Sequence, residues 1–417
     1  MSHLKTYLDL ILDGMDQHPI YSIWISILLA LMGIAAYVMV LSLIYTLEIF
    51  EFSFHIIWAM MVSNYVFMVV SSTGLCIVTS LGHVFGLKRF EQIGKRGIFL
   101  ALITIIFGMI SIGLHLGHPE RAAIYNVLTP NFLSAMWWMG TFYTLYIGFI
   151  TAELWLLCRA GLAKTAQAST GLKADIYRLL VLKRTDISKE AVRKDHKLAF
   201  IVGLLALVSG LTAHNTLGAL FGHLEARPLW HGSYYPIYFL LSASFSGVAW
   251  ILATIIGTYK LQKKKIHEKL TRLIFELAQI LAVLLSVGLI FAVCKICLGL
   301  FSPEKFEPIM LFLNGPFSLA FWLFEIVIGT VAPIFILLYS IKKYKITGVL
   351  IASVMVLIGV FVMRYDFVVI AQVYPVLTDG LDSYFPTFSE VLLISGIIAG
   401  LFLSYTLGIK FLPLDEN

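Results

Sequence analysis

Charge is scarce in this sequence. Only 13% of its 417 residues are Asp, Glu, Lys or Arg, while 59% are hydrophobic. A soluble globular domain carries about 25% charged residues. A chain this poor in charge cannot cover a surface in water, so lipid must be its outer solvent. Cysteine is scarce too. Cys76, Cys158, Cys294 and Cys297 each lie within or at the end of an apolar run. Cys294 and Cys297 form a CxxC, but without two more thiols nearby it cannot hold an iron–sulfur cluster. All four read as small apolar core residues. No HxxxH or HExxH motif occurs, so a mononuclear metal site has no support. The stretch from Met1 to Pro19 contains Asp9, Asp13 and Asp16 but no basic n-region and no small-residue cleavage site. The first apolar run, from Tyr21, is therefore expected to be an uncleaved anchor.

What the chain has in abundance is long apolar runs. A bilayer core takes about 20 apolar residues as helix, and ten stretches qualify: 20–47, 55–82, 93–117, 132–158, 197–223, 234–260, 270–301, 316–341, 345–372 and 387–408. The expected fold is an all-α integral membrane protein of about ten transmembrane helices, with no large soluble domain between them. The net charge of +6 does not point to nucleic acid, because the basic residues sit in short connections between spans. Of the 30 Lys and Arg, 25 fall on the side that holds the termini; the others are Arg121, Arg227, Lys295, Lys305 and Arg364. The positive-inside rule then puts both termini in the cytoplasm and the chain in the cell membrane as a multi-pass protein. The opposite connections are poor in Lys and rich in His, Trp, Tyr, Pro and acids.

A weak internal repeat runs through the spans. Phe132, Ala135 and Trp137 at the start of the fourth correspond to Phe317, Ala320 and Trp322 at the start of the eighth. Tyr65, Ser71 and Gly74 in the second correspond to Tyr238, Ser244 and Gly247 in the sixth. An even-numbered unit preserves orientation, so helices 2–5 and 6–9 are expected as two parallel four-helix bundles flanked by helices 1 and 10. The corresponding division is an anchor helix over 1–54, a first bundle with the functional site over 55–223, a second bundle over 224–372, and an outer loop, last helix and tail over 373–417.

An ionisable group inside a span costs roughly 2.5–3.5 kcal/mol or more, which makes each one a functional candidate. The candidates are Glu276, Glu325, Arg364, Asp366, His115 and His214. Similar depths allow Arg364 to meet Glu325, with His214 above them, in a polar track suited to protons. A structural clamp between Arg364 and Glu325 is the plainer reading of the same geometry. Six histidines, His55, His115, His118, His214, His223 and His231, fall in the outer half. They invite a haem reading, but no helix carries two buried His at the spacing a membrane cytochrome b needs, and His223 and His231 read better as surface residues.

The strongest local signal is Leu114-His115-Leu116-Gly117-His118-Pro119-Glu120-Arg121-Ala122, where the third helix leaves the membrane. Gly117 and Pro119 break the helix, so two imidazoles, a carboxylate and a guanidinium can share one interfacial pocket. Quinone carbonyls need hydrogen-bond donors, and quinol oxidation needs proton acceptors near physiological pH. Asn64, on the second helix, adds a donor. A capped helix end with a surface salt bridge is the bland alternative.

At this motif the sequence resembles the NrfD / polysulfide-reductase membrane-subunit family. The family's Leu-Gly-Arg/His-Pro-Glu-Arg signature reads here as Leu116 to Arg121, followed by Pro130-Asn131 and a Ser and Trp at the next helix start. Ser72-Thr73-Gly74-Leu75, Ser80 to Gly86, Arg227-Pro228-Leu229-Trp230-His231, Glu325 with Gly329 and Pro333, and Arg364-Tyr365-Asp366 with Gln372 look like the ten-helix branch. That branch holds membrane subunits of sulfite-reduction-associated, hydrogenase-2 and high-molecular-weight cytochrome complexes. The resemblance covers about Ser63 to Gln372. It departs at His118, which stands where Arg is commoner and leaves the contact of that side chain to a headgroup open.

The resemblance implies a quinone site on the outer face, with menaquinone or another quinone as bound substrate. It implies no haem or iron–sulfur cluster in this chain, and a ferredoxin-like iron–sulfur subunit docked on that face. Further redox subunits, a multihaem cytochrome c or a catalytic subunit, are expected beyond it. Motif and depth together assign His115, His118, Glu120 and Arg121 to catalysis. They assign His55, Asn64, His115 and Glu120 to quinone binding, and His214, Glu325, Arg364 and Asp366 to a proton path. The expected function is a quinone/quinol-interacting subunit of a respiratory redox complex, not active alone. The rival readings are a secondary transporter and a haem-bearing cytochrome b-type anchor.

Overall fold

A chain that buries its backbone in hydrocarbon must satisfy every N–H and C=O internally, and a helix does so within each segment. The structure, a computed structural model, describes residues 19–44, 56–374 and 384–415. Among the described residues there are only helices and their connections. Ten helices among the described residues are long and apolar enough to cross a membrane, in the places the apolar runs predict. They are α1 (Pro19–Ile44), α2 (Met60–His83), α3 (Glu91–His115), α4 (Ala135–Ala168), α5 (Lys189–Gly222), α6 (Tyr234–Leu261), α7 (Glu268–Leu300), α8, α9 (Ile346–Val373) and α10 (Phe388–Phe411). Helix α8 is a π-helix over Ala320–Val331 that continues as an α-helix over Ala332–Lys343.

Among α2–α5, contacts link α2 with α3, α3 with α4, α4 with α5, and α5 with α2. Helices α6–α9 are linked in the same way, α6 with α7, α7 with α8, α8 with α9, and α9 with α6. Helix α2 also touches α6 and α9, and α1 pairs with α10. Helix α2 is the most enclosed: 89% of its apolar stretch is buried, against 17% for α1. Its composition explains why it can sit there. Small and hydroxylated residues let neighbouring backbones approach and find local partners. Ser72 Oγ donates to Ala101 O on α3 (2.7 Å), and Thr73 and Thr79 bond back to carbonyls of their own helix.

Glycine allows a very close crossing. Gly74 on α2 faces Gly247 on α6, two positions that the repeat aligns. A Cβ on Gly74 would overlap the Ala243 carbonyl and sit 3.0 Å from Gly247 N. The aligned Trp137 and Trp322 also behave alike. Each donates its indole N–H to a carbonyl in the preceding connection, Asn126 O (2.9 Å) and Leu313 O (3.2 Å).

Two expectations need correction. The span expected to end at 158 continues to Ala168, and the one expected to start at 197 begins at Lys189. At 34 residues each, these helices are about 51 Å long and must project past a ~30 Å core. A buried ion pair holds the projection together. Arg159 Nε donates to Asp195 Oδ2 (2.6 Å), and Arg159 Nη1 donates to the carbonyls of Arg184 (2.9 Å) and Asp186 (2.7 Å). Removing one partner of a buried pair strands the other. Asp195→Ala should therefore destabilise this end by about 3 kcal/mol, read as a lower thermal midpoint of the purified protein. An unchanged midpoint would mean that the pair contributes nothing. The second correction concerns cysteine. Cys76 and Cys158 are buried as expected, but Cys294 and Cys297 lie exposed on α7. The two are three apart on a helix and so share a face, and that face points outward.

Candidate functional site

The Lys- and Arg-poor end is tied together by side chains that satisfy backbone groups. Arg227, in the α5–α6 connection, donates from Nη1 to the carbonyls of Gln372 (3.1 Å) and Tyr374 (3.1 Å) at the end of α9. A cation suits a helix C-terminus, whose last carbonyls lack intrahelical partners. Trp230 Nε1 donates to Phe367 O (2.7 Å). Gln372 Nε2 donates to Trp58 O (2.6 Å), and its Oε1 accepts from the N–H groups of Ile57 (3.1 Å) and Trp58 (3.0 Å). The entrance to α2 is thereby fixed to the exit of α9. Tyr384 OH accepts from Met60 N (3.2 Å) and donates to Glu390 Oε2 (2.7 Å), and Glu390 closes a capping box with Thr387 at the start of α10.

Against this frame the α3 exit forms two tiers. The inner tier is buried. Asn64 on α2 is fully enclosed and donates from Nδ2 to Ser111 Oγ on α3 (3.1 Å). Ser111 Oγ in turn donates to Met61 O (2.9 Å). His115, half-buried, follows Ser111 by four residues and so lies one turn further along the same face. The Asn64 Oδ1 is buried and has no hydrogen-bond partner among the described residues.

The outer tier is open. Leu116 is extended and ends α3, and Pro119 starts the short helix Pro119–Ala123, which has no buried residue. His118 Nδ1 and Glu120 Oε1 are 2.9 Å apart, both 61% exposed in their side chains. The backbone N–H of Glu120 and the bond to His118 hold the Glu120 carboxyl below its usual range. It therefore stays anionic at neutral pH, and its favourable interaction is lost as pH falls through that depressed value. Arg121 is exposed beside them. The single pocket expected from the motif is thus divided, with Asn64 and His115 within and His118, Glu120 and Arg121 outside. His55 lies outside the described residues.

The second half holds the other candidates. His214 on α5 is fully buried, its ring edge-on to Phe239 (5.7 Å). Arg364 on α9 is buried, donates to Ser242 Oγ on α6 and places its guanidinium 4.3 Å from the Phe239 ring centroid. Asp366 is fully buried, and neither carboxyl oxygen has a partner among the described residues. The expected clamp between Arg364 and Glu325 is not formed. Glu325 instead faces Lys295 of α7, with Nζ 3.6 Å from Oε1. Lys295 also lies 4.5 Å from the Phe312 ring centroid. Position along the helix gave Arg364 and Glu325 similar depths, but which face each residue presents depends on how α8 and α9 cross. The π-helical winding of Ala320–Val331 further shifts the face on which Glu325 emerges, and such turns recur at functional sites. Glu276 sits at the opposite end, 3.2 Å from Arg89, and belongs to no interior track.

Three residues were missed: the buried Ser111 and Glu153 and the half-buried Lys295. Each had a signal. Ser111 precedes His115 by one turn, and Glu153 and Lys295 are charges inside apolar runs. Glu153 on α4 is 3% exposed, close against Gly203 of α5. Among the described residues no three His, Cys, Asp or Glu side chains converge to hold a metal ion.

The profile of the family described as polysulphide reductase, NrfD, matches residues 49–377. A selenate reductase subunit of Mesobacillus selenatarsenatis is 28% identical over 85% of this chain and 85% of its own length. The Hdr-like menaquinol oxidoreductase integral membrane subunit of Archaeoglobus fulgidus is 25% identical over 86% of this chain and 85% of its own. A putative dimethyl sulfoxide reductase membrane subunit of Halobacterium salinarum is 26% identical over 48% of this chain and 43% of its own.

Proposed function

The chain belongs to the NrfD polysulphide reductase family, and on that premise we propose that it is the quinone-interacting membrane subunit of a multi-subunit respiratory redox complex. In this reading it exchanges electrons between membrane menaquinol or quinone and an iron–sulfur partner subunit at the Lys- and Arg-poor end. The chain sits in the cell membrane with both termini in the cytoplasm, so that end is the outer face. Helices α2–α5 and α6–α9 form its two four-helix units. The printed name of the Archaeoglobus relative, a menaquinol oxidoreductase subunit, supports the substrate class.

The observation that carries the reading is the orphaned Asn64 amide oxygen, enclosed one turn below His115. A buried polar atom without a partner costs roughly 1–3 kcal/mol, and a quinol hydroxyl is a donor that would satisfy it. Ser111 holds the Asn64 amide nitrogen, which fixes the orientation of the oxygen. His115 offers a second contact from α3, with His55 assigned to the same headgroup. A bound quinol supplies two electrons and two protons. His118 and the Glu120 carboxylate accept the two protons, one each, and pass them to the water that both side chains face, with Arg121 stabilising the charge. The electron acceptor belongs to the partner, which docks over the α5–α6 and α9–α10 connections. In the second half, His214, Arg364, Asp366 and Glu325 serve as a route for protons.

The test is Asn64→Leu in the assembled complex. Loss of one hydrogen bond to the substrate should cut quinol-linked turnover by roughly ten-fold and weaken competitive quinone-site inhibitors in parallel. Asn64→Gln, which keeps the amide, should restore part of both. Unchanged turnover and inhibitor sensitivity in Asn64→Leu would remove this residue from the site.

A further inference from the structure

A large cavity lies away from the α3 exit. It has a volume of about 860 Å³ and runs between the α1–α10 pair and helices α6 and α9. Its lining is graded. Trp250, Met68, Phe361 and Phe402 surround the part towards the middle of the helices, while Thr258, Gln262, Lys264 and Lys410 surround the Lys- and Arg-rich end. On α6 the lining runs from Trp250 to Leu261, a rise of about 16 Å at 1.5 Å per residue, and Gln262 and Lys264 continue it in the α6–α7 connection. That is more than half of a ~30 Å hydrocarbon core, enough for one leaflet and the edge of its headgroup layer.

Two ammonium groups, those of Lys264 and Lys410, line the mouth. Asp415 also lines it, but its carboxylate is engaged by Arg96 (Nε to Oδ1, 2.5 Å). Tyr21 adds a buried hydroxyl that has no hydrogen-bond partner among the described residues. Its ring centroid lies 5.9 Å from Lys410 Nζ, so the hydroxyl and the ammonium belong to one locality. The site thus joins a long apolar trough to a cationic and hydrogen-bonding end. That is complementary to an amphiphile with an anionic head and long apolar tails.

We propose that this cavity binds one anionic phospholipid, its acyl chains along α6, α9 and α10 and its phosphate held by Lys264, Lys410 and the Tyr21 hydroxyl. The lipid fills the space between the α1–α10 pair and the rest of the helices and fastens the pair in place. A quinone has no anionic head to meet two ammonium groups, so the mouth selects against it.

Two variants test this by different routes. Lys264→Gln with Lys410→Gln removes the headgroup charges without entering the apolar trough. Gly257→Phe fills the trough. Gly257 lines the cavity, and a Cβ there meets nothing within 4 Å, so the variant occupies space without forcing the backbone. The protein is purified with its partners in mild detergent, and phospholipid and quinone are quantified in the same extract. The expected wild-type result is about one anionic phospholipid per chain that survives washing. The double Lys variant should retain it roughly five-fold less well per lysine lost, and Gly257→Phe should not retain it at all. Relipidation with phosphatidylglycerol vesicles should restore the wild type, and phosphatidylcholine vesicles should not. The proposal is overturned if both variants keep the wild-type lipid content. It is also overturned if quinone rather than phospholipid is lost from Gly257→Phe, or if the two vesicle types restore equally.

Discussion

Glu325→Gln and Asp366→Asn, in complexes that still assemble, should slow quinol-linked turnover on the order of 100-fold, the scale expected when a positioned proton-transfer group is lost. Inhibitor binding at the α3 exit should be unchanged. The reasoning begins with cost. Glu325 is 4% exposed and Asp366 is fully buried, both on spans where an ionisable group is expensive and lipid-facing placement is nearly excluded. Asp366 has no hydrogen-bond partner among the described residues, so fold stability alone gives no reason to keep a carboxyl there. Glu325 faces Lys295 across 3.6 Å. That is longer than a charge-assisted hydrogen bond of about 2.7–2.9 Å, so the pair is a loose one. Around them stand Arg364, bonded to Ser242 and set over Phe239, and His214 beyond the same ring. A structural role predicts something different. If Lys295 and Glu325 act only as a pair, Glu325→Gln should lower the thermal midpoint of the complex by leaving the half-buried Lys295 ammonium without its partner and leave the rate per assembled complex intact. Turnover and proton uptake on reconstitution are therefore measured beside the midpoint. Full rate and full proton movement in both variants would show that these carboxyls are structural and that no track exists.

A larger effect still is expected from Gly74→Leu, which should abolish recovery of folded protein. At this crossing two backbones meet without side chains between them. A Cβ on Gly74 would overlap the Ala243 carbonyl, and one on Gly247 would overlap the Gly74 carbonyl and come within 2.6 Å of Leu75 N. The obstacle is main chain on both sides. The cost should therefore exceed the roughly 1–3 kcal/mol of an overpacked core, where side chains can yield. The contact joins α2 to α6, and α2 is the most enclosed helix, so separating them opens the centre of the molecule. Gly148→Leu on α4 is the control, because a Cβ there meets nothing within 4 Å. The measurement is the monodisperse fraction after size exclusion, together with the thermal midpoint. Equal yield and midpoint for the two variants would show that α2 and α6 do not need this approach.

The sequence alone determined which segments are helices in lipid. The reason is general: a run of about 20 apolar residues has few other ways to satisfy its backbone. It also determined which interior residues are costly enough to need an explanation, and His115, His214, Arg364, Asp366 and Glu325 were all legible on that ground, while Asn64 was legible from its depth beside the α3 exit. The α3 exit could be found because Gly117, Pro119 and a cluster of polar residues interrupt an apolar run. Partnership was decided only by the tertiary structure. Depth along a helix follows from counting residues, but the face a residue presents depends on rotation and crossing, which no linear pattern records. So Glu325 meets Lys295 rather than Arg364, Arg364 turns to Ser242 and Phe239, and Asn64 reaches Ser111 across to α3. The cavity beside α1 and α10 has the same origin. It is the space left between helices, and a sequence specifies helices one at a time.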